Sequence, residues 1–191
     1  MLIALLIVVI IVAVIVIWLI AAYNGFITLR NRVEEAFATI DVYLKKRYDL
    51  IPNLVETVKG YAAHERQTLS DVIEARNQAV EQTNASTETK IANENMLTGA
   101  LGRLFALAEN YPILKADTQF LDLQRQLQVI ETDLAQARKY YNANVKTFNT
   151  KREVFPSNIV ASMFKFKPFV YFQLDSEAEK ENVKVDFSYK Q

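Results

Sequence analysis

Residues 1–22 constrain everything the rest of the chain can do: after Met1 they are Leu, Ile, Val and Ala, interrupted only by Trp18, with no charged side chain. As a helix rising ~1.5 Å per residue, such a run reaches roughly 33 Å, against a hydrocarbon core of about 30 Å. A cleaved secretory signal would show a basic n-region and a shorter apolar stretch of about 7–15 residues, and this run has neither. It therefore reads as a retained single-pass anchor, with Trp18 and Tyr23 suited to the headgroup level where amphipathic rings collect.

The charges flanking the run are lopsided. Arg30, Arg32, Lys45, Lys46 and Arg47 follow it and no basic side chain precedes it. By the positive-inside rule the N-terminus is expected outside and the soluble part in the cytoplasm, on the inner face of the cell membrane.

Behind the anchor the sequence points to long helices. The chain holds only 4 Gly and 4 Pro, too few for a turn-rich all-β fold. Lys plus Arg number 22 and Asp plus Glu 22, so the basic excess expected of a nucleic-acid binder is missing. There is no cysteine for a disulfide or a thiolate metal site, and a single histidine cannot build a histidine-rich one.

Apolar residues recur in steps of three and four along four segments. In the first, Val33, Phe37, Ile40, Leu44 and Tyr48 define a helix to about Asp49, continuous with the span if Gly25 holds. Pro52 is expected to end it and to open a second helix running to about Thr83. Residues 84–89, rich in Ser, Thr and Asn, read as a loop. A third helix from near Lys90 carries Leu97, Leu101, Leu104 and Ala108 and stops at Asn110-Tyr111-Pro112. A fourth, from about Asp117 to Thr150, carries Phe120, Leu123, Leu127, Ile130, Leu134, Ala137, Tyr141, Val145 and Phe148. The expected fold is all-α: an N-terminal transmembrane helix (1–22), an antiparallel four-helix bundle with coiled-coil-like stripes (23–150), and a C-terminal region (151–191) packed on it. That last region should hold a short helix capped by Ser157, then an extended or β tail in which Val183 to Phe187 alternate like a strand.

Several separate blocks resemble the LemA family of membrane-anchored helical proteins. They include Leu29-Arg30-Asn31-Arg32-Val33-Glu34-Glu35-Ala36, Leu44-Lys45-Lys46-Arg47-Tyr48-Asp49-Leu50-Ile51-Pro52-Asn53-Leu54 and Val58-Lys59-Gly60-Tyr61. His64-Glu65, Ala75-Arg76, Tyr111-Pro112, Tyr140-Tyr141-Asn142 and Phe155-Pro156-Ser157-Asn158 continue the match. Phe37 stands where the family more usually has tryptophan, and Asp117 where asparagine is common. The resemblance implies one transmembrane helix and a soluble antiparallel bundle of four long helices. It implies no assigned enzymatic activity.

The residues themselves carry little chemistry. His64-Glu65 starts like a zincin HExxH, but Thr68 stands in the second histidine's place and no other histidine exists. The acid pairs Glu34 with Asp41 and Asp49 with Glu56 could hold a hard cation, yet nearby lysines and arginines favour plain ion pairs. Lys45-Lys46-Arg47 reads as a cationic end to the first helix, and Asn84-Ala85-Ser86 as a sequon without meaning in the cytoplasm. No catalytic, cofactor or metal residue is expected.

Two functions of different class fit these features. One is a non-enzymatic scaffold or adaptor at the membrane, with lipids, unidentified proteins or a second copy of the chain as partners and no nucleic acid. The other is a membrane-bound enzyme or ligand binder with a polar site between helices. A large closed pocket with strongly shifted carboxylates would favour the second, and a solid apolar core with exposed patches the first. Counting helix directions returns Thr150 to the membrane side, which makes Lys165, Phe166, Lys167 and Phe169 candidates for contact with headgroups.

Overall fold

The structure, a computed structural model, describes residues 1–82 and 85–172. These form α1 (Leu2–Tyr61), α2 (Arg66–Glu81), α3 (Thr87–Ala108), the single turn α4 (Pro112–Lys115), α5 (Thr118–Glu153) and α6 (Ser157–Met163). No strand occurs among the described residues, and the expected strand from Val183 to Phe187 lies outside them.

Pro52, expected to end the first helix, lies inside α1 and ends nothing. A proline in a helix interior removes one donor, here the N–H that would reach the Tyr48 carbonyl four residues back. Arg76 of α2 supplies the substitute through Nε, at 3.3 Å from that oxygen. The break falls instead at residues 62–65, so His64-Glu65 stands between helices rather than within one. The third helix also begins earlier than expected: Ser86 caps α3, its hydroxyl accepting the Thr89 N–H at 3.3 Å. Ser157 is the first residue of α6 and not its cap. Its hydroxyl donates to the Lys151 and Val154 carbonyls at 2.6 and 3.0 Å, satisfying the end of α5.

At ~1.5 Å per residue α1 runs about 90 Å, and its last 39 residues, about 58 Å, match the roughly 54 Å of α5. The two helices lie along one another with partner numbers falling on α5 as they rise on α1. Phe26 meets Phe148 (ring centroids 5.8 Å apart), Phe37 meets Tyr141 (5.5 Å), Arg47 pairs with Glu131 (2.9 Å) and the Tyr61 hydroxyl reaches Asp117 (2.8 Å). The helix is unbroken at Gly25, where a side chain would run into the Lys151 ammonium that lies over the Phe26 ring. α2 and α3 form a shorter pair packed on the distal half of α1.

Residues 166–172 are strapped along α5. Asn149 pairs through both ends of its amide with the backbone of Phe169 (2.9 and 3.1 Å), and Asn142 does the same with Phe172 (2.9 and 2.8 Å). The spacing works because seven residues of helix rise ~10.5 Å while three residues of extended chain span about 10 Å. Between them the Tyr141 hydroxyl donates to the Val170 carbonyl at 2.9 Å, and burial pushes its pKa up to about 12.

Candidate functional site

Two regions of the fold concentrate chemistry. The first is a polar layer that cuts the interior in two. Along α1 the buried stripe reads Val33, Ala36, Ile40, Leu44, Arg47, Ile51, Leu54 and Val58, with an arginine in a core position. Along α3 it reads Glu94, Leu97, Leu101, Leu104 and Ala108, with a glutamate in one. Arg47 and Glu94, each 1% exposed, pair at 3.1 Å. Arg47 also donates to the Thr98 hydroxyl at 3.0 Å and faces Glu131. The Tyr48 hydroxyl donates to the other Glu94 oxygen, and Arg138 of α5 stands 3.9 Å from Glu94 with its guanidinium over the Phe172 ring. One apolar cluster, from Ile51 to Leu127, lies on one side of this layer, and another, from Phe26 to Phe172, on the other.

Burial sets the electrostatics here. It pushes the Glu94 carboxyl up, with Arg47 pulling the other way, and it lowers the Arg138 guanidinium. Burial first and Glu94 second drive the Tyr48 phenol upward. A partly open cavity of about 470 Å³ adjoins the layer between α1, α2 and α3, where Tyr48, Arg76, Lys90 and Glu94 contribute polar groups. On the far side a second cavity of about 380 Å³ is bordered by Arg47 and Glu131.

This layer answers the reading of Lys45-Lys46-Arg47 as a helix end: the helix continues, Lys45 and Lys46 are exposed, and Arg47 is at the centre of the interior. The missed signal was visible, since Arg47 falls on the three-four step between Leu44 and Ile51 and Glu94 on the step before Leu97. The acids weighed as cation ligands each face a base: Glu34 with Arg30 (3.7 Å), Asp41 with Lys90 (3.4 Å), Asp49 with Lys45 (3.0 Å) and Glu56 with Lys59 (3.1 Å). Among the described residues no group of three or more His, Cys, Asp or Glu converges as a metal site would. At the two departures from the family pattern, Phe37 carries the Lys90 ammonium 4.7 Å from its ring centre, and Asp117 caps α5 by accepting the Phe120 N–H at 2.8 Å.

The second region is the corner where α5, α6 and the strap meet α1. Tyr23 lies 4.7 Å from the Phe164 ring and 6.0 Å from that of Phe166, which stacks on Phe26 at 4.7 Å. Phe169 packs edge-on against Phe148 at 4.9 Å. Of the four residues expected to face headgroups, Phe166 and Phe169 are thus half-buried, while Lys165 and Lys167 are exposed. Trp18, further back on α1, is exposed.

A helical protein built around one exposed, membrane-length apolar helix is the class these features define. The chain belongs to the LemA family, whose sequence model matches residues 36–187. It is 26% identical to the magnetosome protein MamQ 2 of Paramagnetospirillum magneticum, over 81% of this chain and 66% of that protein. It is 24% identical to the magnetosome protein MamQ of Magnetospirillum gryphiswaldense, over 81% of this chain and 65% of that protein. The protein LemA of Metamycoplasma hominis is also 24% identical, over 86% of this chain and 74% of its own length. The chain therefore spans just under two thirds of the length of the magnetosome relatives.

Proposed function

We propose that the protein is a membrane-anchored, non-enzymatic scaffold. Its soluble part would be an antiparallel four-helix bundle of α2, α3, α5 and the distal two thirds of α1, presented to protein partners or to a second copy of the chain. The observation that carries this reading is the continuity of α1 from Leu2 to Tyr61. One helix serves both as apolar span and as the longest strut of the bundle, so whatever binds the bundle is held at a fixed place relative to the bilayer. The falling order of partners between α1 and α5 supports the antiparallel arrangement. Exposed apolar side chains such as Val129 and Tyr140 on α5 offer contact points away from the membrane.

Photo-crosslinkers placed at Val129 and Tyr140 of the full-length protein in cells test the reading. Discrete adducts, to other proteins or to a second copy, are expected. Adducts no stronger than those from a crosslinker at buried Leu134 would count against a scaffold.

The bases following the span, Arg30 and Arg32 first, favour a cytoplasmic soluble part at the cell membrane, with the N-terminus outside. Protease added to right-side-out vesicles should then leave it intact, and digestion without permeabilisation would reverse the orientation.

A second reading, a small-ligand binder, is favoured by the 470 Å³ cavity beside the Tyr48–Glu94 contact. A cell-extract fraction that raises the melting temperature of the wild type but not of Lys90→Ala would favour it over a pure scaffold.

A further inference from the structure

We infer that the corner formed by the end of α5 and by α6 docks into the interfacial zone of the same bilayer that α1 enters, with an anionic lipid surface as the occupant. Three observations place it there. First, Leu19, Ala22 and Tyr23, the last turns of the apolar run, pack against the cluster that contains Val160 and Ala161 of α6. The protein interior thus reaches down to the level at which a span of residues 2–20, about 28 Å long, leaves the hydrocarbon. Second, apolar exposure is concentrated at this corner. Phe155 is 79% exposed and Met163 59%, with Val154, Ile159 and Phe164 exposed between and beside them. Ile159 and Met163 stand four apart on α6, and Val154 and Phe155 lie in the turn just before it, so the exposed apolar groups cluster at this end of the fold.

Third, the chain holds a lysine where the backbone disfavours one. Lys165 has φ of 55°, and the Phe166 N–H reaches back to the Ala161 carbonyl at 3.0 Å, a helix-ending geometry that glycine usually fills. The turn folds Phe166 inward onto Phe26 and leaves the Lys165 side chain exposed beside Lys167. A cation kept at a position that favours glycine, next to exposed aromatic and aliphatic groups, matches the chemistry of an anionic headgroup layer. Docked this way, the bundle has two points of attachment to the bilayer, the α1 span and the corner, and its tilt is fixed.

The test uses the full chain in vesicles of phosphatidylcholine with a minor fraction of phosphatidylglycerol, carrying Trp18→Phe so that a single new tryptophan reports. Met163→Trp and, as a second variant, Ile159→Trp should emit blue-shifted and lose at least about half their intensity to lipids spin-labelled near the headgroup end of the acyl chain, while Met96→Trp on α3 loses almost none. Lys165→Gly with Lys167→Gln relieves the backbone and removes charge without touching the interior, so the fold should persist. Quenching at residue 163 in that variant should fall at least about twofold, and high salt should weaken it in the parent. Quenching at 159 and 163 no greater than at 96 would overturn the proposal. So would a blue shift without lipid quenching, which would mean that protein, such as a second copy, covers the corner.

Discussion

Arg76 donates through Nε to the carbonyl oxygen of Tyr48, the one carbonyl of α1 that Pro52 deprives of its helical donor. The proline that should have ended the helix instead creates an acceptor for α2 to grip, 28 positions along the chain. Arg76→Ala should cost about 1–3 kcal/mol, the expense of an unmet acceptor in a half-buried place. In a Pro52→Ala background the new N–H at position 52 serves the Tyr48 carbonyl. The loss on Arg76→Ala should then shrink by at least ~0.5 kcal/mol, as read from thermal and denaturant unfolding of the four proteins in detergent. Equal losses in both backgrounds would separate the arginine from the proline.

The polar layer makes a second, steeper prediction. Arg47→Met leaves Glu94 buried without its main counter-ion and should destabilise by about 3–5 kcal/mol, whereas apolar replacement of both members of a buried pair is often nearly neutral. The double variant Arg47→Met with Glu94→Leu should therefore lie well short of the summed single losses, with a coupling energy of at least ~1 kcal/mol from the unfolding cycle. Additive losses would mean the pair is not one unit.

Two carboxylates should give pH dependences of opposite sign. The Phe120 N–H, and after it the Tyr61 hydroxyl, hold Asp117 below the usual carboxylate range. Its contribution to stability is present above its unfolded pKa of about 3.9 and is lost as pH falls through the lower folded value. Burial pushes Glu94 up. Its contribution is present below an unfolded pKa of about 4.3 and is lost as pH rises through the higher folded value. In melting curves from about pH 3 upward, the gap between wild type and Asp117→Asn should widen with rising pH, while that between wild type and Glu94→Gln should narrow. Slopes of the same sign would refute one of the two assignments.

The strap along α5 can be tested residue by residue. Asn149→Ala removes two hydrogen bonds, about 2 kcal/mol in all, and frees the Phe169 N–H. Amide exchange at Phe169 should accelerate by about tenfold or more, with Leu127 in the core of α5 unchanged. Protection at Phe169 that survives the substitution would show that its ring packing on Phe148, not the amide pairing, holds the strap.

Local chemistry determined much of this protein from the sequence by itself. An uncharged apolar run of membrane length and three-four apolar stripes fix helix type and burial face without reference to anything distant. For that reason the apolar run, the stripes of α3 and α5 and the helix breaks between Glu81 and Thr87 and at Pro112 were legible, whereas the sequence grouped Phe166 and Phe169 with Lys165 and Lys167 as one headgroup-facing set and did not show that the two rings pack inward. Only the tertiary structure decided the fate of Pro52 and of Arg47. Proline penalises a helix by orphaning one carbonyl, and a distant guanidinium cancels that penalty. A buried arginine is too costly to expect until a glutamate on one helix and another across from it are brought within about 3 Å. Both outcomes turn on partners 28 to 84 positions away, and sequence periodicity carries no information on which distant partners meet.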